Sequence, residues 1–230
     1  MRHPGVRVAT LVAGLVALVA VGRPAAAEVF LDLYAGASFF TDPDITVKQG
    51  NVSIEKERGK ADPDVTVGGR LGYWFNLQGL PWLGLAADVS YFEPEFTPKS
   101  GNPNLVKVKV RTVPMTPLVM LRVPLAASLD HPNGVVQLYA AAGPGFFWTE
   151  STTRFLNGVT EKISADTVQV GVDARAGIAF ELFPNVALFA EYRFTHFSVS
   201  PSGSLNGQRT KVDADLDANH ILGGISFRFH

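Results

Sequence analysis

Residues 168–181 read Val-Gln-Val-Gly-Val-Asp-Ala-Arg-Ala-Gly-Ile-Ala-Phe-Glu, and every second one is apolar. On an extended chain Val168, Val170, Val172, Ala174, Ala176, Ile178 and Phe180 share one face. Gln169, Gly171, Asp173, Arg175, Gly177, Ala179 and Glu181 share the other. A period of two is the signature of a strand, because successive side chains leave a pleated backbone on opposite sides. The segment that follows repeats the pattern: Val186, Leu188, Ala190, Tyr192 and Phe194 oppose Ala187, Phe189, Glu191, Arg193 and Thr195.

The same alternation is found along most of the chain. It predicts strands over 29–39, 65–76, 82–92, 106–124, 134–148, 167–181, 185–198 and 212–229. Val, Ile, Phe and Tyr supply the strand preference, while Gly, Pro and β-branched residues interrupt every window long enough for a helix. Three connections are short, 77–81, 126–133 and 182–184. Four are long and polar, 40–64, 93–105, 149–166 and 199–211, two of them with Asn-Gly tips at Asn157-Gly158 and Asn206-Gly207. Short turns at one end and long loops at the other describe an all-β, eight-stranded antiparallel up-and-down barrel.

Composition narrows the function classes. The chain has 230 residues, 47% hydrophobic and 18% charged, with 22 Gly, 16 Phe and a formal net charge of −1. An apolar fraction of this size is incompatible with wholesale disorder. With no cysteine, disulfides, thiolate metal sites, a cysteine nucleophile and an N-terminal lipidated cysteine are excluded. No basic surplus points to nucleic acid.

The first residues read as an export signal. Arg2 and Arg7 precede an apolar run from Val8 to Gly22, and Ala25-Ala26-Ala27 stands before Glu28. Charge, apolar core and small residues at the cleavage positions mark a secretory signal peptide over 1–27, leaving 28–230 as the barrel domain. As a helix the apolar run would rise only about 22 Å, short of the ~30 Å hydrocarbon core. Taking Arg2, Arg7 and Arg23 from the 20 basic residues leaves 17 against 21 acidic ones, a balance of −4 for the mature protein.

Alternation does not say which face meets water. Three features turn the apolar face outward, toward lipid. The polar face is rich in Gly, Ala and Ser, which suits a crowded lumen. Aromatics gather at the ends of the apolar faces (Phe39, Tyr73, Phe75, Tyr91, Phe146, Trp148, Phe227, Phe229), where interfacial girdles belong. The strands are also long enough for a tilted crossing. The lumen then holds Arg70, Arg122, Arg175, Arg193 and Arg228 with Asp32, Asp88, Asp173 and Glu191. That near-balance predicts paired charges in a filled interior, because an unpaired buried ion is costly. The fourth strand changes parity between Val110 and Val113, which predicts either a bulge beside Pro114 and Pro117 or a segment 106–111 standing above the membrane.

Gly224-Ile225-Ser226-Phe227-Arg228-Phe229 resembles the closing strand of bacterial outer-membrane barrels. Glu191-Tyr192-Arg193-Phe194-Thr195 with Asp213-Ala214-Asp215-Leu216-Asp217 resembles the last hairpin of small OmpA-like barrel proteins. Gly69-Arg70-Leu71-Gly72-Tyr73-Trp74-Phe75 is similar to their second strand. The resemblance implies the bacterial outer membrane, lipid and lipopolysaccharide as surroundings, and an assembly signal for the barrel-assembly machinery in Gly224, Phe227 and Phe229. Family members usually end on the aromatic itself, whereas His230 follows here. A peptidoglycan-binding domain after the barrel is not expected.

Chemistry-bearing candidates are few. His196-Phe197-Ser198 is similar to the His-x-Ser of outer-membrane lipid A deacylases, with Asp213 or Asp215 as the orienting acid, although that family continues Ser-Asn-Ala and this chain reads Ser198-Val199-Ser200. A serine nucleophile needs a base within hydrogen-bond reach. Asp213, Asp215 and Asp217 share a face and are candidates for a divalent cation at lipopolysaccharide phosphates, but they lack the glycine and closing glutamate of a calcium loop. No histidine spacing suggests a metal site, and no cofactor is expected. The leading expectation is therefore a non-enzymatic barrel acting in envelope integrity or surface interaction through four extracellular loops. A lipid A deacylase using His196 and Ser198, and a narrow channel for small solutes, are the alternatives. No loop residue names an extracellular ligand.

Overall fold

The computed structural model describes residues 27–41, 44–49, 52–75, 80–98, 107–127, 134–154, 160–161, 167–199, 202–205 and 208–229. The signal-peptide reading and both Asn-Gly tips fall outside them. Eight long strands form the wall: β1 (Ala27–Phe40), β4 (Asp64–Phe75), β5 (Leu83–Tyr91), β7 (Lys107–Leu125), β8 (Val136–Arg154), β10 (Thr167–Phe183), β11 (Val186–Val199) and β13 (Gln208–Phe229). Each pairs antiparallel with the next, and β1 closes on β13 from Val29 opposite Phe229 to Phe40 opposite Ala218. Closure leaves no free edge in this part of the wall, which is what a strand sheet in lipid requires.

Burial settles the orientation. Val170 is 65% exposed and Val172 54%, whereas Asp173, next to Val172, is 0% and Arg175 3%. The apolar face is the outer coat and the polar face the core. From Val29 to Phe39, ten rises of ~3.3 Å each at a tilt of about 40° span roughly 25 Å, the height of an outer-membrane apolar band. Phe229 and Trp82 are exposed toward one end of that span, Phe39, Phe146 and Trp148 toward the other. Tyr73 and Phe75 meet edge to face at 4.7 Å.

The described residues of the four long connections are largely extended and paired. They carry β2 (Asp44–Gln49), β3 (Val52–Ala61), β6 (Glu95–Pro98), β9 (Thr160–Glu161) and β12 (Ser202–Leu205). Where β1, β4 and β5 end, their places in the wall are taken by others: β13 pairs β2, β2 pairs β3, β3 pairs β6 and β6 pairs β7. The physical reason is backbone pairing. Long β7 and β13 would otherwise present rows of unpaired N–H and C=O groups beside the ends of their shorter neighbours.

The fourth barrel strand has no bulge. Its register is constant against β5, from Leu83–Leu121 to Val89–Met115, and against β8, from Lys107–Arg154 to Leu125–Val136. Even-numbered residues face inward from Val110 to Arg122. The parity change in the sequence reflects a change of surroundings. Lys109 and Arg111 point outward above the apolar coat, and Val110 packs inward against Phe92 and its neighbours.

Candidate functional site

The lumen is filled in layers, because even positions of β1, β4, β5, β7 and β13 and odd positions of β8, β10 and β11 all point into it. In the lowest layer Phe30 stacks on Trp74 at 5.7 Å, and the Arg122 guanidinium lies 4.6 Å over the Trp74 ring. Arg122 Nη1 donates to Glu28 Oε2 at 2.7 Å, Arg122 Nε donates to the Pro81 carbonyl at 3.0 Å, and Arg228 Nη1 stands 3.5 Å from Glu28 Oε1.

Above it lies a continuous ionic layer. Arg70 donates to Asp32 at 2.8 Å and to Glu191 at 2.7 Å. Arg175 donates to Asp88 through two nitrogens, each at 2.8 Å, and to Asp173 at 2.8 and 3.0 Å. Arg193 Nη2 is 2.7 Å from Asp173, and its Nη1 donates to Ser90 at 2.7 Å. Two tyrosines complete the layer: Tyr34 donates to Asp88 at 2.8 Å and Tyr139 to Glu191 at 2.9 Å. Their rings fit only because a glycine faces each. A Cβ on Gly68 would stand 2.5 Å from the Tyr34 ring, and one on Gly177 2.5 Å from that of Tyr139. The abundance of glycine on the polar face is thus a packing requirement of a narrow barrel.

The third layer turns from charged to neutral. His220 Nδ1 hydrogen-bonds Ser38 Oγ at 2.6 Å, its Nε2 lies 3.2 Å from Thr195 Oγ1, and Ser38 also bonds Thr66. Phe92, Phe147, Phe197 and Leu216 close over them, with Phe147 and Phe197 stacked at 4.2 Å.

All nine charged residues singled out in the sequence are therefore in the lumen and in ion-pair contact. Glu28, Tyr34, Tyr139 and His220 belong to the same interior but were not singled out. Parity was the available signal for each: Glu28 and Tyr34 share the face of Asp32, and His220 that of Arg228. Gly224 makes room for the Phe189 ring, 2.6 Å from where its Cβ would be, while Phe227 and Phe229 lie on the outward face at the opposite end from β2 and β3.

His196 and Ser198 are both outward and exposed, and they are not joined to one another. His196 Nδ1 hydrogen-bonds Asp217 at 2.6 Å, and Ser198 Oγ donates to Asp215 at 2.7 Å. A hydroxyl that donates to a carboxylate rather than to the imidazole lacks the alignment of a nucleophile with its base. The same two bonds engage Asp215 and Asp217; the side chain of Asp213 lies outside the described residues. Among the described residues no three His, Asp or Glu side chains are grouped to hold a metal ion.

An apolar coat around an ionic, side-chain-filled core is the inverse of a water-soluble barrel. A family model described as "Outer membrane protein beta-barrel domain" matches residues 13–229. The chain belongs to that family. This outer membrane β-barrel protein resides in the bacterial outer membrane, as its outward apolar band requires. No curated protein is significantly similar to it in sequence. Among solved structures, the outer membrane protein OprG from Pseudomonas aeruginosa superposes with a TM-score of 0.65 at 17% identity, covering 91% of this chain and 98% of that one. The outer membrane protein AlkL, determined in lipid bilayers, superposes at 0.56 with 13% identity, covering 88% and 90%. At such identities the likeness is one of fold.

Proposed function

We propose that this β-barrel is a non-enzymatic outer-membrane protein that acts in envelope integrity or surface interaction through its extracellular end, with its axis closed to solutes. The filled lumen carries the reading: a Phe30–Trp74–Arg122 layer, an ionic layer and a phenylalanine layer lie in series across the bore. What remains available for interaction is the wall that rises above the apolar coat. β2, β3 and β6 make that rise a hydrogen-bonded scaffold rather than loose loops, and connections held on rigid scaffolds are where recognition is found. Outward Lys109 and Arg111, set among Glu93, Glu95 and Glu150, suit the phosphates and sugars of lipopolysaccharide. Phe227 and Phe229 on the outward face of the closing strand suit a signal for the barrel-assembly machinery.

The test pairs planar-bilayer recording with complementation of a deletion strain challenged with a bulky antibiotic. The expected results are no discrete sustained conductance, and rescue by the full chain but not by one lacking the β2–β3 hairpin. Sustained openings, or full rescue without the hairpin, would overturn the proposal.

A second reading has an observation of its own. Pro117 faces Pro144 across β7 and β8, the ladder is interrupted between Met115–Phe146 and Val119–Ala142, and an apolar recess of about 380 Å³ lies there, lined by Leu85, Ala87, Val119 and Ala142. Facing prolines remove ladder donors from the wall. A route for small apolar solutes would run sideways here rather than down the axis. Faster uptake of a fluorescent apolar dye by expressing cells, lost on filling the recess with Ala142→Phe, would support this reading against the first.

A further inference from the structure

The two ionic clusters of the lumen are separated by a small cavity, and the groups facing it do not match each other directly. The cavity measures about 20 Å³ and is lined by Phe30, Asp32, Trp74, Tyr139, Ser226 and Arg228, among others. Asp32 is 3% exposed and Arg228 5%. Asp32 Oδ2 is held by Arg70, but its Oδ1 has no hydrogen-bond partner, and neither do Nε and Nη1 of Arg228. Both side chains have counter-charges, since Arg70 pairs with Asp32 and Glu28 and Glu181 stand 3.5 and 4.0 Å from Arg228 Nη1, but these three atoms are left without a hydrogen bond.

Charge arithmetic sharpens the mismatch. The middle cluster contains Asp32, Asp88, Asp173 and Glu191 against Arg70, Arg175 and Arg193, four carboxylates to three guanidiniums. The lower cluster, Arg122 and Arg228 with Glu28 and Glu181, is balanced, and Arg228 is its cation facing the cavity. We infer that the cavity is a binding site for a single ordered water, which donates to Asp32 Oδ1, accepts from Arg228, and converts the two into a solvent-separated ion pair.

The ligand chemistry follows from the lining. It must donate at one wall and accept at the other, and the space is that of about one water, which needs ~10–15 Å³ of this measure. A cation is disfavoured by the facing guanidinium and an anion by the facing carboxylate. Arg70 and Gln137 complete the polar part of the lining. Ser226, opposite Asp32 in the β1–β13 register, stands within hydrogen-bond reach of the Asp32 carboxylate and lines the same cavity. Bridged in this way, the lower cluster of Glu28, Glu181, Arg122 and Arg228 and the middle cluster form one network down the lumen.

The test uses the full-length mature barrel in lipid nanodiscs. In wild type the Arg228 Hε resonance should show a nuclear Overhauser cross-peak to water with the sign of a long-lived bound molecule, and its shift should be unchanged between 20 mM and 500 mM NaCl. In urea unfolding, Asp32→Asn, Arg228→Gln and the double variant should be non-additive. The double variant should have an unfolding constant at least threefold below the product of the single effects. The wild-type spectrum stands even if a variant does not assemble. A dry Arg228 Hε, a salt-dependent shift that places an ion in the cavity, or an additive cycle overturns the proposal.

Discussion

Replacing Arg175 by methionine keeps the length of the stem but removes the guanidinium that serves three carboxylates. Its nitrogens lie 2.8 Å from Asp88 at two points, 2.8 and 3.0 Å from Asp173, and 3.5 Å from Glu191, with all four side chains at 0% exposure. Breaking a buried pair strands the partner charge in low dielectric, and removal of one partner typically costs about 3–5 kcal/mol. Arg193 remains 2.7 Å from Asp173 and 3.8 Å from Asp88, and Tyr34 still donates to Asp88. Those contacts cap the loss, so the lower half of the range, about 3–4 kcal/mol, is expected. At roughly 1.4 kcal/mol per decade this is a 10²- to 10³-fold shift in the unfolding constant. The assay is urea unfolding of the barrel in lipid vesicles, followed by the heat-modifiable gel shift. A second variant, Arg175→Met with Asp88→Asn, removes one stranded charge and should recover part of the loss. A shift below about tenfold in the single variant, or no recovery in the double, would refute the view that paired buried charges hold the lumen shut.

Three further outcomes follow from the geometry. Trp82 and Trp148 are each more than 40% exposed on the outer coat and Trp74 is 5% exposed in the lumen, so brominated-chain lipids should quench fluorescence strongly in wild type and hardly at all in a Trp82→Phe/Trp148→Phe double variant. Because Ser198 and His196 are each committed to a different carboxylate, Ser198→Ala should leave the lipid A mass spectrum of expressing cells unchanged; disappearance of a deacylated species in the variant would contradict this. Substituting Gly68 by valine sets a side chain against Tyr34 and Ser90, so assembly should fall severalfold in the heat-modified gel assay, with partial rescue by Tyr34→Ala.

Much of this architecture is local in origin. The alternation over 168–181 groups Asp173 and Arg175 on one face whatever lies around them, and the same rule groups Glu28 and Tyr34 with Asp32 and His220 with Arg228. The fourth strand shows where local reading fails. Val108 and Val110 looked like lipid-facing residues out of phase, yet Val110 points inward. Hydrophobicity marks burial against apolar groups, and above the membrane those groups lie inside the barrel rather than outside it. The strands of the long connections were missed for a related reason. Their pairing comes from the unequal lengths of β1, β4 and β5 against β7 and β13, and strand length in a neighbour leaves no trace in the segment itself.

For this protein the amino-acid order alone is enough to indicate eight strands, their two faces, and a polar face rich in Gly. Those properties follow from a backbone period of two and from side-chain size. Which charges meet depends on closure. Arg70 joins Asp32 and Glu191 across separations of 38 and 121 residues, and Asp217 rather than Ser198 meets His196. These pairings depend on the stagger accumulated around all eight strands. A one-residue slip anywhere would exchange the lumen and lipid faces of a strand. That sum over the whole barrel exists only once β1 has closed on β13.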